Sequence, residues 1–202
     1  MTQPTRVDLL AQSIDLAVGV VGNVPVDQYR DPTPCAEFTV RDLANHIAMM
    51  ILLTTDAGTK AAHDAGLHSA DPMPFLAGHQ EAEWAGLMAD QARPAVRAWS
   101  EAAAWEGEST VGGPAMPAPA LGGILIAEFA IHAWDMAVAT GQPIGVPATL
   151  AEAAYDTFTR EAPRMRGLGL LGEEVPQEAD APAFDRALGL TGRDPRWAPP
   201  TR

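Results

Sequence analysis

The sequence predicts an all-α protein: a four-helix bundle followed by a loop-rich C-terminal extension. Three observations carry that reading. Apolar residues recur at three- and four-residue spacing through four long segments. Glycine and proline clusters separate those segments. No convincing alternating apolar and polar series suggests strands, and no internal repeat is evident. With 202 residues, of which 47% are hydrophobic, the chain suits one bundle with a real core plus a tail. The expected division is a bundle over residues 1–165 and an extension over 166–202 packed on it.

The elements follow in order. Residues 7–24 place Leu10, Ile14, Val18 and Val21 on one face, and Gly22 to Pro25 end this first helix. Pro32 and Pro34 keep the next stretch as loop. Thr39 is an expected N-cap with Asp42 at the third helical position. The second helix is expected over 40–65, with Leu43, His46, Ile47, Met50, Leu53 and Thr54 on one face. Residues 66–75 form a connection long enough to cross the end of a bundle. A third helix is expected over 76–104, kinked at Pro94. A Gly/Pro-rich loop spans 106–119, and the fourth helix, "GGILIAEFAIHAWDMAV", runs from 122 to Thr140 before Gly141 and Pro143 stop it. A shorter fifth helix is expected over 149–162, and one helical turn over 184–188.

Composition excludes several function classes. The net charge is −13 with no offsetting basic cluster, so a nucleic-acid partner is not expected. No charge-free apolar run reaches the length of a membrane span, and "MTQPTRVDLL" lacks the pattern of a signal peptide. Cys35 has no second cysteine to pair with. A cytoplasmic location is therefore expected. Lys60 is the only lysine, and alanine, glycine and proline abound, a bias that points to a GC-rich, actinobacterial-type genome.

The fourth helix poses the chemical question. It is apolar nearly all round, which marks a helix buried on most sides. Yet Glu128 and His132 lie four residues apart on one stripe. An unpaired buried carboxylate costs several kcal/mol or takes up a proton, so Glu128 needs a partner. His46, on the apolar face of the second helix, raises the same difficulty. Two readings are open from the residues alone. Glu128 and His132 form an ion pair with His46 hydrogen-bonded in the core, or His46, Glu128 and His132 are three ligands of a divalent metal with positions left for water or substrate. His63, His68 and His79 read as solvated polar residues. Cys35 reads as a small buried residue in the entry turn rather than a nucleophile, and Trp134 as a core or interface aromatic. Asp135 is placed to orient His132, or to contact solvent or Arg41.

Three segments carry a resemblance. "TPCAEFTVRDLANHI" (33–47) resembles the Thr-Pro-Cys-x-x-Trp-x-Val-x-x-Leu-x-x-His segment of DinB-like bundles, and more closely the metal-binding domain of mycothiol-dependent maleylpyruvate isomerase. "EFAIHAWDMAVATGQP" (128–143) resembles that group's Glu-x-x-x-His-x-Trp-Asp-x-Ala segment, and "FDRALGLTGRDPRW" (184–197) is similar to the ending of a stand-alone actinobacterial branch. The resemblance implies an up-down-down-up four-helix bundle and a metal site of His46, Glu128 and His132. Phe38 stands where the family usually has Trp. The isomerase also carries a further C-terminal domain with a catalytic arginine, for which this chain leaves no room, so maleylpyruvate isomerisation is not carried over.

What the resemblance implies chemically is a divalent metal, zinc first, with nickel, iron or manganese as the other fits to a two-His, one-carboxylate set. Mycothiol is the implied thiol cosubstrate, its sulfur held as thiolate by the metal and attacking a small-molecule electrophile. The expected activity is a thiol S-transferase or an isomerase-like, thiol-dependent reaction. The alternatives are a metal-dependent hydrolase and a non-catalytic metal-binding or stress protein. A homodimer is expected from the family.

Overall fold

The computed structural model describes residues 3–62 and 64–200 and has the all-α architecture expected. His63, assigned above to the solvated surface, lies outside the described residues. Six α-helices follow one another: α1 Arg6–Gly22, α2 Val40–Thr59, α3 Glu81–Ser100, α4 Ala118–Ala139, α5 Ala148–Gly167 and α6 Ala183–Leu190.

Contacts between helix ends fix the direction of each helix. Arg41, opening α2, pairs with Glu81, opening α3, while Lys60 after α2 reaches the Glu106 carbonyl beyond α3, so these two helices run parallel. The crossover between them is fastened by buried Asn45, whose Nδ2 donates to the Ala70 carbonyl at 2.9 Å and whose Oδ1 accepts from the Met73 amide at 2.7 Å. Arg6 at the start of α1 lies over the Trp105 ring beyond the end of α3, which makes α1 and α3 antiparallel. Gln142 after α4 donates to the Val20 carbonyl near the end of α1, so α1 and α4 run parallel. The result is an up-down-down-up bundle, with α5 and α6 packed outside α4.

Local chemistry explains most helix ends. Thr39 and Asp42 form the expected capping box, their hydroxyl and carboxylate 2.6 Å apart, and Thr5 with Asp8 forms a second one ahead of α1. Several expected bounds are corrected. The second helix stops at Thr59 rather than 65, because Lys60 turns left-handed (φ 57°) and its amide closes back on the Ala57 carbonyl. The third helix covers Glu81–Ser100, with short 3₁₀ turns at Pro74–Leu76 and Ala102–Trp105 on either side, and it continues through Pro94 as one element. α4 starts at Ala118, with Pro119 in its first turn, where the missing amide hydrogen costs nothing. The loop before it closes into a two-stranded antiparallel hairpin, Glu108–Ser109 against Met116–Pro117. α5 runs on to Gly167, past the expected 162, carrying Pro163 within it.

The core is built on α4. Leu121, Leu125, Phe129, Ala133 and Met136 are buried against α1–α3, while Ile124, Ile131 and Trp134 are buried against α5 and α6 through Phe158 and Leu188. A helix so covered has no exposed apolar stripe, which accounts for its all-round apolar sequence. Among the described residues α4 alone is long and apolar enough to cross a membrane by composition, and 83% of that window is buried inside the protein. Close approach of the helices depends on small residues. A Cβ on Gly58 would stand 2.8 Å from both Ala98 Cβ and the Trp99 ring.

Candidate functional site

α2 and α4 run antiparallel, and this brings His46 on α2 to the stretch of α4 that carries Glu128 and His132. His132 Nε2 lies 3.0 Å from Glu128 Oε1, and His46 Nε2 lies 3.5 Å from the same oxygen. The two imidazole rings meet edge to face, with centroids 4.8 Å apart. Phe38, in the aromatic position of the entry segment, packs against His46 with ring centroids 5.1 Å apart. Phenylalanine therefore supplies the stacking surface at this position. His132 is buried, while the side chains of His46 and Glu128 keep 18% and 20% exposure, so the group can be reached from outside.

The second ring nitrogen of His132 is also engaged. Nδ1 lies 2.9 Å from Asp135 Oδ2. Asp135 is completely buried, and its second partner is Arg193, with Nη2 2.9 Å from the same Oδ2 and Nε 3.3 Å from Oδ1. Of the roles open to Asp135, the structure selects contact with His132. Arg41 is not its partner, since that guanidinium binds Asp71 at 2.6 Å and Glu81 at 3.5 Å at the bundle end. Arg193 is the member of this cluster to which the sequence assigns no role. It stands in a loop after α6, where no periodicity assigns it a face.

The electrostatics follow from this packing. Burial pulls His46 toward the neutral form, and the hydrogen bond with Glu128 only partly offsets it. Burial acts the same way on His132, but the flanking carboxylates of Glu128 and Asp135 overcome it and hold the imidazole up at about 9. Glu128 would be raised by burial, yet the two histidines keep it well below the usual carboxylate range. Burial likewise raises Asp135, and Arg193 and His132 together lower it. Cys35 lies near His132 and Asp135, within 4.8 Å as judged by side-chain donor atoms. Burial pushes its thiol up to about 11, against the opposing pull of Arg193, which agrees with a structural role for it.

Two donor groups within 4.8 Å could hold a metal ion among the described residues: His46, Glu128 and His132, and Cys35, His132 and Asp135. The first set fits better. With His132 Nδ1 facing Asp135, Nε2 is left turned toward Glu128 and His46. One carboxylate oxygen then faces two imidazole nitrogens, and among the described residues no lysine or arginine hydrogen-bonds Glu128. In the second set, Asp135 is already occupied by Arg193 and His132. His79 is exposed and 3.7 Å from Glu83, in keeping with a solvated role. His68, also exposed, lines a cleft of about 290 Å³ that opens beside His46, together with Phe38, Met49, Leu67 and the acidic Glu37, Asp42 and Asp71.

The profile of the family described as the mycothiol maleylpyruvate isomerase N-terminal domain matches residues 10–137, which include all three converging side chains. The chain belongs to the mycothiol maleylpyruvate isomerase N-terminal domain family. This domain thus accounts for the bundle and the facing α2–α4 pair, while α5, α6 and the loop bearing Arg193 lie beyond the match. Two uncharacterized proteins of Mycobacterium tuberculosis, from two strains, are each 29% identical over 187 residues, spanning 90% of this chain and 94% of their own length. No solved structure matches significantly.

Proposed function

We propose that the protein holds a divalent metal, zinc first, between His46, Glu128 and His132 and acts in mycothiol-dependent chemistry as a thiol S-transferase or isomerase-like enzyme. The observation that carries the reading is the convergence of His46 Nε2 and His132 Nε2 on one oxygen of Glu128. A carboxylate and two imidazoles are a common zinc donor set. The family's description names mycothiol, and the chain's membership supports a low-molecular-weight thiol as cosubstrate.

A metal in that position supplies the positive charge that favours the thiolate form of a thiol near neutral pH. The remaining work falls to the chain itself. Asp135 holds His132 Nδ1 and so aims Nε2 inward. Phe38 backs the His46 ring and limits its rotation. The cleft beside His46, walled by Phe38, Met49 and Leu67, is where a small electrophile can approach. Glu37 and Asp42 on its walls favour a neutral or cationic electrophile over an anionic one.

Thiol dependence tests the reading. The zinc-loaded protein is assayed with a panel of neutral electrophiles, with and without mycothiol. Product formed only with the thiol is the expected result. Product formed equally well without any thiol would reject transfer in favour of hydrolysis.

A further inference from the structure

The segment after α6 reaches the site through a single side chain. Arg193 follows Gly192, whose left-handed backbone (φ 85°) ends α6 and leaves no room for a Cβ, which would stand 3.0 Å from the Glu173 carbonyl oxygen. The Arg193 amide closes back on the Leu188 carbonyl at 2.9 Å, and α6 itself is anchored by completely buried Ala187 and Leu188. The backbone at Arg193 is thereby set before its side chain makes any contact. The guanidinium is then held on both flanks. Nη1 donates to the Thr191 carbonyl at 3.1 Å, while Nη2 and Nε grip the two oxygens of Asp135. A two-pronged grip fixes the plane of a carboxylate as well as its distance, which a lysine ammonium cannot do. Asp135 Oδ2, so fixed, is the atom that faces His132 Nδ1.

We propose that Arg193 is a positioning residue that acts through Asp135 to fix the plane of the His132 imidazole, which makes the C-terminal segment a working part of the site. This rests on the reading of His132 as a metal ligand. The matched family domain covers residues 10–137, so Arg193 and its segment lie beyond it. Outer partners of a ligating histidine typically change metal affinity by roughly 10- to 100-fold when removed.

Three variants test it: Arg193→Met, Arg193→Lys and, as a control, Arg166→Met. Arg166 anchors the same segment elsewhere, donating to the carbonyls of Gly172 and Leu190 without touching Asp135. Two quantities are read. One is zinc affinity by competition with a chromophoric chelator. The other is the Nδ1–H proton resonance of His132 in metal-free protein, which is protected from exchange while bonded to a buried carboxylate. Arg193→Met is expected to weaken zinc binding by roughly 10- to 100-fold and to broaden or abolish the resonance. Arg193→Lys, which keeps the charge and the fold, shows a smaller loss of both, and Arg166→Met matches the parent protein. Parent-level zinc affinity with an unchanged resonance in Arg193→Lys overturns the proposal, as does an Arg166→Met protein that loses both as fully as Arg193→Met. Should Arg193→Met not fold, Arg193→Lys decides. Should the parent protein take up no zinc, the metal reading fails alone, and the resonance in Arg193→Lys still decides the positioning role.

Discussion

Asp135 of α4 and Arg193 of the C-terminal segment form an ion pair in which the carboxylate is completely buried and the guanidinium side chain is only 11% exposed, with Nη2 and Oδ2 2.9 Å apart. Such a pair contributes little net stability when both members are present, but removing one member leaves the other charged and uncompensated.

Asp135→Ala is therefore predicted to destabilise the fold by about 3–5 kcal/mol, read as a lowered urea midpoint at unchanged slope. A loss of under about 1 kcal/mol, the range of exposed pairs, would mean that Arg193 swings out to water and the pair is not a fixed part of the interior.

The pH dependence of the metal-free protein follows from His132. Its imidazole is held up at about 9 against an ordinary value of 6.5, because Glu128 and Asp135 outweigh the effect of burial. The folded state thus favours the charged ring. The stability this supplies is complete below about pH 6.5 and is lost as pH rises through about 9. His46, pulled the other way by burial, loses its contribution as pH falls below its ordinary range. The melting temperature of metal-free protein should fall between pH 7 and 9, and His132→Gln should flatten that fall. Zinc should reverse the slope, since its imidazole ligands must be neutral and its binding strengthens as protons leave. A melting temperature unchanged over this range in metal-free protein contradicts the assignment.

Cys35 gives a chemical check on the interior. A thiol pushed up to about 11 carries little thiolate at neutral pH. Alkylation of the folded, metal-free protein by iodoacetamide should be far slower at pH 7.5 than that of a free thiol, and Cys35→Ser should keep the fold and the zinc affinity. Rapid alkylation at pH 7.5 would point instead to an activated thiol.

The sequence made some of this legible for a physical reason. Helical period assigns faces, so Leu10 and Ile14, or Glu128 and His132, declare their common stripe without any knowledge of neighbours. The convergence of His46 on that stripe is one of two readings open from the residues, and the family resemblance singles it out. Helix ends were less legible. No glycine or proline marks Thr59 as a stop; the left-handed turn falls on Lys60, whose ammonium meets the Glu106 carbonyl beyond the neighbouring α3. Pro119 could have signalled the early start of α4, but in a Pro-rich stretch it read as loop. Arg193 lies inside the quoted ending, residues 184–197, yet nothing there assigns it a role. A loop residue carries no periodicity, and its partner Asp135 lies 58 positions away.

The central claim is that His46, Glu128 and His132 form one metal site, and metal stoichiometry tests it most directly. Protein purified without an affinity tag is incubated with zinc, freed of excess, and analysed for metal alongside His46→Ala and His132→Ala. The account predicts about one equivalent in the parent protein, a large loss in both variants, and helical circular dichroism retained in both, because bundle packing rather than the metal supplies most of the stability. Less than about a tenth of an equivalent in the parent protein, or the same metal content in all three, would contradict it.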